Sequence, residues 1–175
     1  DNLLVIDCDN RNYTLHPFPV LLNYGAIECN PKTFRHYIDG ITPLISQQME
    51  LMDEERLDAG KKLGLNLQGV LSQLKMYYGT NDSMSLFEYV HSPESPYFDL
   101  VGQNVRSRYI TEDVPGVIAP FVQLAAKAGI TLPIADLVVR LSSRLHAVDY
   151  FTTGTTLEKL GIQNLSLSDI KAMVS

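Results

Sequence analysis

One imidazole in this chain sits where the backbone is most constrained. His16 lies in the run Leu15-His16-Pro17-Phe18-Pro19, and the two prolines fix their own φ and restrict the residue ahead of each. Val20, Leu21 and Leu22 follow as an apolar, helix-like run, so the histidine should occupy a fixed junction and not a mobile tip. An imidazole changes charge near neutral pH and can therefore take or give a proton. The stretch from Arg106 through Arg108, Glu112 and Asp113 to Pro115 supplies cations and two carboxylates at the start of another helix. A carboxylate behind an imidazole sets its tautomer and favours its protonated form. A guanidinium pairs bidentately with a planar carboxylate. The expectation is that these two stretches meet.

Taken singly, each residue also has an ordinary structural reading. A lone histidine after an apolar start is more often structural than catalytic. An acidic pair at a helix start commonly favours the dipole and caps free N–H groups. The other three histidines are read as structural: His36 in a solvated helical turn, His91 in a loop and His146 near a helix end. Other chemistries lack their motifs. There is no G-x-G-x-x-G or G-x-x-x-x-G-K-[ST] to cradle phosphate, no C-x-x-C or H-E-x-x-H for a metal, and no G-x-S-x-G nucleophile elbow.

The elements that must position these residues read mostly as helices. Leu3-Leu4-Val5-Ile6-Asp7-Cys8 is the exception, a short apolar run expected to be a strand with no partner in this chain. Pro31 to Gly40 reads as a short helical turn. Thr42 and Pro43 then form an N-cap and first helical residue, with Leu44, Ile45, Met49, Met52 and Leu63 inward. Glu50, Asp53, Glu54 and Arg56 fall mostly outside, and Gly64 is the stop. A segment from Asn66 puts Leu67, Val70, Leu71, Leu74 and Tyr78 inward, and a shorter helix starts near Ser83. Pro120 should kink or delay the helix that follows Val114. From Pro133, the residues Ile134, Leu137, Val138, Leu141 and Leu145 keep a period near 3.6. A turn at Thr152–Thr156, a brief helix at Leu157–Gly161 and a last helix capped at Ser166 or Ser168 complete the chain. The fold class is all-α, a compact multi-helix domain over residues 11–175, and the unpartnered run ahead of it is a first hint that this chain is the later part of something larger.

Bulk properties narrow the classes. The chain has 175 residues, 45% hydrophobic and 19% charged, with a net charge of −6, which suits one globular domain. No Lys/Arg cluster marks a nucleic-acid footprint, and no apolar run is long enough to span a bilayer. With no signal-type start and no paired spacing for Cys8 and Cys29, a reduced, cytoplasmic chain is expected.

Several short motifs resemble the C-terminal helical domain of the octopine/nopaline (opine) dehydrogenase family. They are Leu15-His16-Pro17 with Leu21-Leu22-Asn23, Gly40-Ile41-Thr42-Pro43, Asp53-Glu54-Glu55-Arg56, Arg108 to Pro115, Asp149-Tyr150 and Thr156 to Gly161, with Phe34 and Tyr37 between the first two. The order and spacing span nearly the whole chain, most weakly between Gly79 and Val105. The resemblance implies reductive condensation of an amino acid with a 2-keto acid using NADH or NADPH. It implies that His16 is the catalytic histidine, Asp113 its carboxylate partner and Arg108 the holder of a substrate carboxylate. Glu112 stays outside the site. NAD or NADP would be bound mainly by a nucleotide-binding domain of the same parent protein, missing here, with residues 1–10 as the end of, or crossing from, that domain, and a homodimer is left open. Substrate selectivity is expected in the loop Ser92–Gln103. The competing readings are the helical domain of a 2-hydroxyacid or ketopantoate-type dehydrogenase, which would use a lysine acid, and a non-catalytic helical interaction module.

Overall fold

The computed structural model describes residues 3–173, and every regular element among them is helical. Four short helices come first: α1 Leu3–Cys8, α2 Asn12–Leu15, α3 Pro17–Leu22 and α4 Tyr24–Cys29. After a stretch of turns come α5 Pro43–Lys62, α6 Val70–Tyr78 and α7 Leu86–His91. A second group is α8 Arg108–Thr111, a π-helical turn Val114–Ile118, α9 Ala119–Lys127, α10 Pro133–His146, α11 Tyr150–Thr153 and α12 Leu167–Met173. The core lies where α2 and α3 pack against α5, α10 and the π turn, filled by Tyr13, Leu15, Val20, Met49, Ile118 and Val138.

The expected all-α class holds, but the N-terminal strand does not. Leu3–Cys8 is a helix, and a short apolar run cannot be told from a helical segment by periodicity alone. The burial of Leu3, Leu4 and Ile6 lies outside the described side chains. Helix α5 starts and stops where its sequence signals put it. Thr42 Oγ1 accepts from the Ile45 amide at 3.4 Å, with Pro43 following. Gly64 closes the helix at φ +71°, a left-handed conformation that costs glycine little.

Its faces differ from expectation. Asp53 and Arg56 are buried, whereas Leu44 is exposed. Arg56 has no solvent exposure at all. Its guanidinium donates to Asp53 (2.9 Å), Asp9 (3.0 Å), the Cys8 carbonyl (3.0 Å) and the Gln68 carbonyl. Asp53 also accepts from Thr14 Oγ1 and the Val70 amide. These bonds tie α1, α2, α5 and the start of α6 together, which is why a charged pair is tolerated inside. Helix α10 keeps the expected period with a shifted face. Ala135, Val138, Val139, Ser142 and His146 are buried, while Leu137, Leu141 and Leu145 remain exposed. Leu157–Gly161 is a set of turns and not a helix.

The π turn has a chemical cause. Ala119 N–H bonds back to the Val114 carbonyl, one residue further than in an α-helix. Pro120 has no N–H to offer the next carbonyl, that of Pro115. That carbonyl is instead taken by the Thr155 amide at 2.9 Å. Gly154 allows the approach, since a Cβ there would stand 2.7 Å from the carbonyl oxygens of Pro115 and Tyr150. Pro120 thus marks a late α-helical start, and the turn ahead of it holds Asp113.

Candidate active site

His16 occupies the single residue between α2 and α3. The Asn12 carbonyl accepts from its backbone N–H, and Pro17 opens the next helix. Leu15 and Val20 on either side are core residues. The imidazole is therefore carried by two anchored turns, and the residue is only 7% exposed.

Asp113 reaches it from the other stretch. His16 Nδ1 and Asp113 Oδ2 are 2.7 Å apart, with Asp113 5% exposed. An ionised carboxylate can only accept, so Nδ1 carries the hydrogen. Tyr109 lies four residues before Asp113, and on a helical turn that spacing puts both on one face. Its ring stacks on the imidazole at 3.7 Å between centroids and 9° between planes. One helical segment thus holds the ring at its Nδ1 edge and along its face. The adjacent face of the same segment carries Arg108 and Glu112, also four apart, which pair at 3.4 Å with both side chains 65% exposed. The structure therefore brings His16 and Asp113 together. Arg108 stands at the rim, engaged by Glu112 and not by the imidazole.

Four further residues complete the surroundings. Tyr37 Oη is 3.1 Å from His16 Nε2 and 3.4 Å from Tyr109 Oη. His36, expected in a solvated turn, is buried, donates from Nε2 to the Leu15 carbonyl at 2.9 Å and stands 6.2 Å from the His16 ring. Burial pushes His36 down to about 3, so it stays neutral. Arg11 lies over the rings of Tyr77 and Tyr78 and donates to Tyr78 Oη at 2.9 Å. Tyr97, from the loop expected to govern selectivity, packs 4.3 Å from Tyr37. The i, i+4 spacing of Tyr109 and Asp113 is the one local signal that could have flagged a second site residue. Tyr37 and His36 become visible only through long-range packing.

Electrostatics favour a neutral resting imidazole. Burial lowers the His16 pKa most, the Asp113 hydrogen bond and charge raise it, and the positive charges of Arg108 and Arg11 lower it further. The stable form is then the Nδ1–H tautomer, whose Nε2 lone pair accepts from the Tyr37 hydroxyl. Such a ring can take a proton at Nε2 and return it, while Asp113 steadies the cation formed in between.

Other concave regions lack this equipment. A cleft of about 380 Å³ is lined by Cys8, Val117, Phe121, Leu124, Leu157 and Leu160 among others. It is mainly apolar, and burial pushes the Cys8 thiol up to about 12, which removes it as a nucleophile. Among the described residues no group of three His, Cys, Asp or Glu could hold a metal. No described helix is long and apolar enough to cross a membrane. Nor do the described residues fit a dinucleotide. The glycines at positive φ, such as Gly64 and Gly129, lie in turns and at helix ends, and no strand leads into a glycine-rich helix start.

A helical domain with a buried histidine–carboxylate pair defines a class, and comparison with known proteins defines the family. The family model for the NAD/NADP octopine/nopaline dehydrogenase alpha-helical domain matches residues 1–146, and the chain belongs to that family. It is 34% identical to an opine dehydrogenase of Arthrobacter sp. (strain 1C) over 99% of this chain and 48% of that protein. It is 27% identical to the vitopine synthase of Allorhizobium ampelinum over 87% of this chain and 42% of that protein. The fold matches octopine dehydrogenase solved with NADH and agmatine, with a TM-score of 0.76 and 19% identity, covering 99% of this chain and 50% of that one. The chain thus spans about half the length of the relatives it matches.

Proposed function

We propose that this chain is the substrate-binding and catalytic domain of an NAD(P)-dependent opine-type dehydrogenase, which reductively condenses the amino group of an amino acid with a 2-keto acid. The dinucleotide, which supplies hydride when bound, is held by a nucleotide-binding domain outside these residues. The buried His16–Asp113 pair at 2.7 Å carries the reading. Condensation needs a free amine, and a neutral imidazole whose Nε2 can take a proton is suited to removing that of the ammonium group. The resulting imidazolium, steadied by Asp113, is suited to donating a proton where negative charge develops on the substrate. Arg108 holds a substrate carboxylate at the rim. Its bond to Glu112 is long and solvent-exposed, so a bidentate carboxylate can displace it at little cost. Free Cys8 and Cys29 are consistent with a reduced, cytoplasmic setting. A lysine acid of the competing dehydrogenase type finds no support at this site: Lys75 and Lys127 are engaged by backbone carbonyls at Ser83 and Gln163.

The test uses the full-length protein, with oxidation of NADH or NADPH followed over pairs of amino and keto acids. Turnover is expected with at least one pair and is expected to collapse in His16→Ala. Wild-type turnover in that variant ends the assignment.

A further inference from the structure

His16 cannot exchange its proton by itself. Its ring is enclosed by Asp113 at Nδ1, by Tyr109 across one face and by the Tyr37 hydroxyl at Nε2. Tyr37 is also buried, with 2% exposure. Its hydroxyl has two partners in the structure, His16 Nε2 and the hydroxyl of Tyr109. Tyr109 alone of the three is partly exposed. The bonds have a consistent direction. Asp113 fixes the hydrogen on Nδ1, so Nε2 accepts from Tyr37, and Tyr37 oxygen in turn accepts from Tyr109.

We infer that the Tyr37 and Tyr109 hydroxyls form the proton path of this site, linking His16 Nε2 to the exposed rim beside Arg108. The inference rests on the reading of His16 as the acid–base residue. To load the imidazole, Nε2 takes the Tyr37 proton while Tyr37 oxygen takes that of Tyr109, and Tyr109 is replenished by an ammonium group or water at the rim. Three O–H or N–H bonds break and three form, and neither phenol is left charged. Unloading reverses each transfer. Burial holds the Tyr37 phenol above its usual range, so it works as a hydroxyl and not as a phenolate. The Tyr37–Tyr109 contact, at 3.4 Å, is long for a hydroxyl pair, so it is the weaker link of the path.

The titratable and charged groups that face His16 are Asp113, Tyr109 and Arg108 from one segment, His36 and Tyr37 from the turns before α5, and Arg11 ahead of α2. The experiment compares Tyr37→Phe and Tyr109→Phe in the full-length protein. It measures kcat, KM and the pH profile together with the 15N signals of selectively labelled histidine. For Tyr37→Phe, kcat should fall about 30-fold or more with KM within about twofold, because acid–base transfer is lost while binding is kept. The His16 Nε2 signal should shift while Nδ1 stays protonated. Tyr109→Phe, at the partly exposed end, should lower kcat by roughly fivefold and leave the Nε2 signal nearly in place. Wild-type kcat and pH profile in both variants, with His16→Ala inactive, would overturn the path and leave the function standing. An active His16→Ala defeats the functional reading and the path together. An Nε2 signal unmoved by Tyr37→Phe overturns the path whatever the activity.

Discussion

Among the described residues, Arg56 and His16 are both buried against carboxylates, and their surroundings are built to opposite ends. Around Arg56, the bonds run to Asp53, Asp9 and two backbone carbonyls, and a guanidinium cannot lose its proton at any accessible pH. That cation keeps its charge, and its bonds join helices. Around His16, one edge is fixed by Asp113 with the same firmness, while the other faces a hydroxyl whose direction can reverse. Similar depth and similar carboxylate partners therefore yield a clamp in one place and, in the other, the group proposed above to handle protons. The difference is the second partner.

The contrast can be broken from either side. The largest effect is expected from Arg56→Ala, which leaves Asp53 and Asp9 without their shared counter-charge. Loss of one member of a buried pair costs about 3–5 kcal/mol, so chemical denaturation should show a much lower midpoint or an unfolded chain. Asp113→Asn keeps the shape and removes the charge. It should lower kcat of the full-length enzyme by about 100-fold, or about 2.7 kcal/mol in barrier, with the denaturation midpoint moved far less than by Arg56→Ala. A large stability loss with normal turnover would reverse the roles assigned to the two clusters.

Acid provides the next test. His36 sits at about 3 in the folded chain against roughly 6.5 when unfolded, so the unfolded chain binds the proton first. Its contribution is complete above about pH 6.5 and is lost progressively as pH falls toward 3, amounting to about 2 kcal/mol between pH 7 and 5. Lowered His16 adds in the same direction. The melting temperature should drop across that window, and His36→Gln should flatten the dependence. Arg108→Lys should raise KM for the substrate whose carboxylate it holds by about tenfold, near 1.4 kcal/mol, with kcat little changed. Glu112→Gln is the smallest change: an exposed pair is worth under about 1 kcal/mol, and thermal melting should barely register it.

The sequence disclosed the parts of this design whose causes are local. Thr42, Pro43 and Gly64 delimit the longest helix because caps act within one turn. The His16–Asp113 pairing was legible through residue type and family resemblance together. Sidedness was harder. Asp53 and Arg56 looked like surface charges because their partners, Thr14 and Cys8, are 39 and 48 positions away. The leucines of α10 looked inward because size suggested it, yet the buried face is chosen by Ala135 and Ser142, which fit the space available. Leu3–Cys8 is too short for its period to decide. His36 and Tyr37 are buried by contacts that no local window contains.

The extra residue wound into the turn at Val114–Ile118 works like a setting on a dial. Each position in an α-helix advances about 100°, so deleting Gly116 to restore ordinary winding would swing everything upstream by that angle relative to α9. The tyrosine face and the acid would then leave the imidazole together, although neither had been altered. The bearing of the Tyr109–Asp113 face toward His16 is thus stored as a count of residues in one irregular turn, and chain length there matters more than side-chain identity.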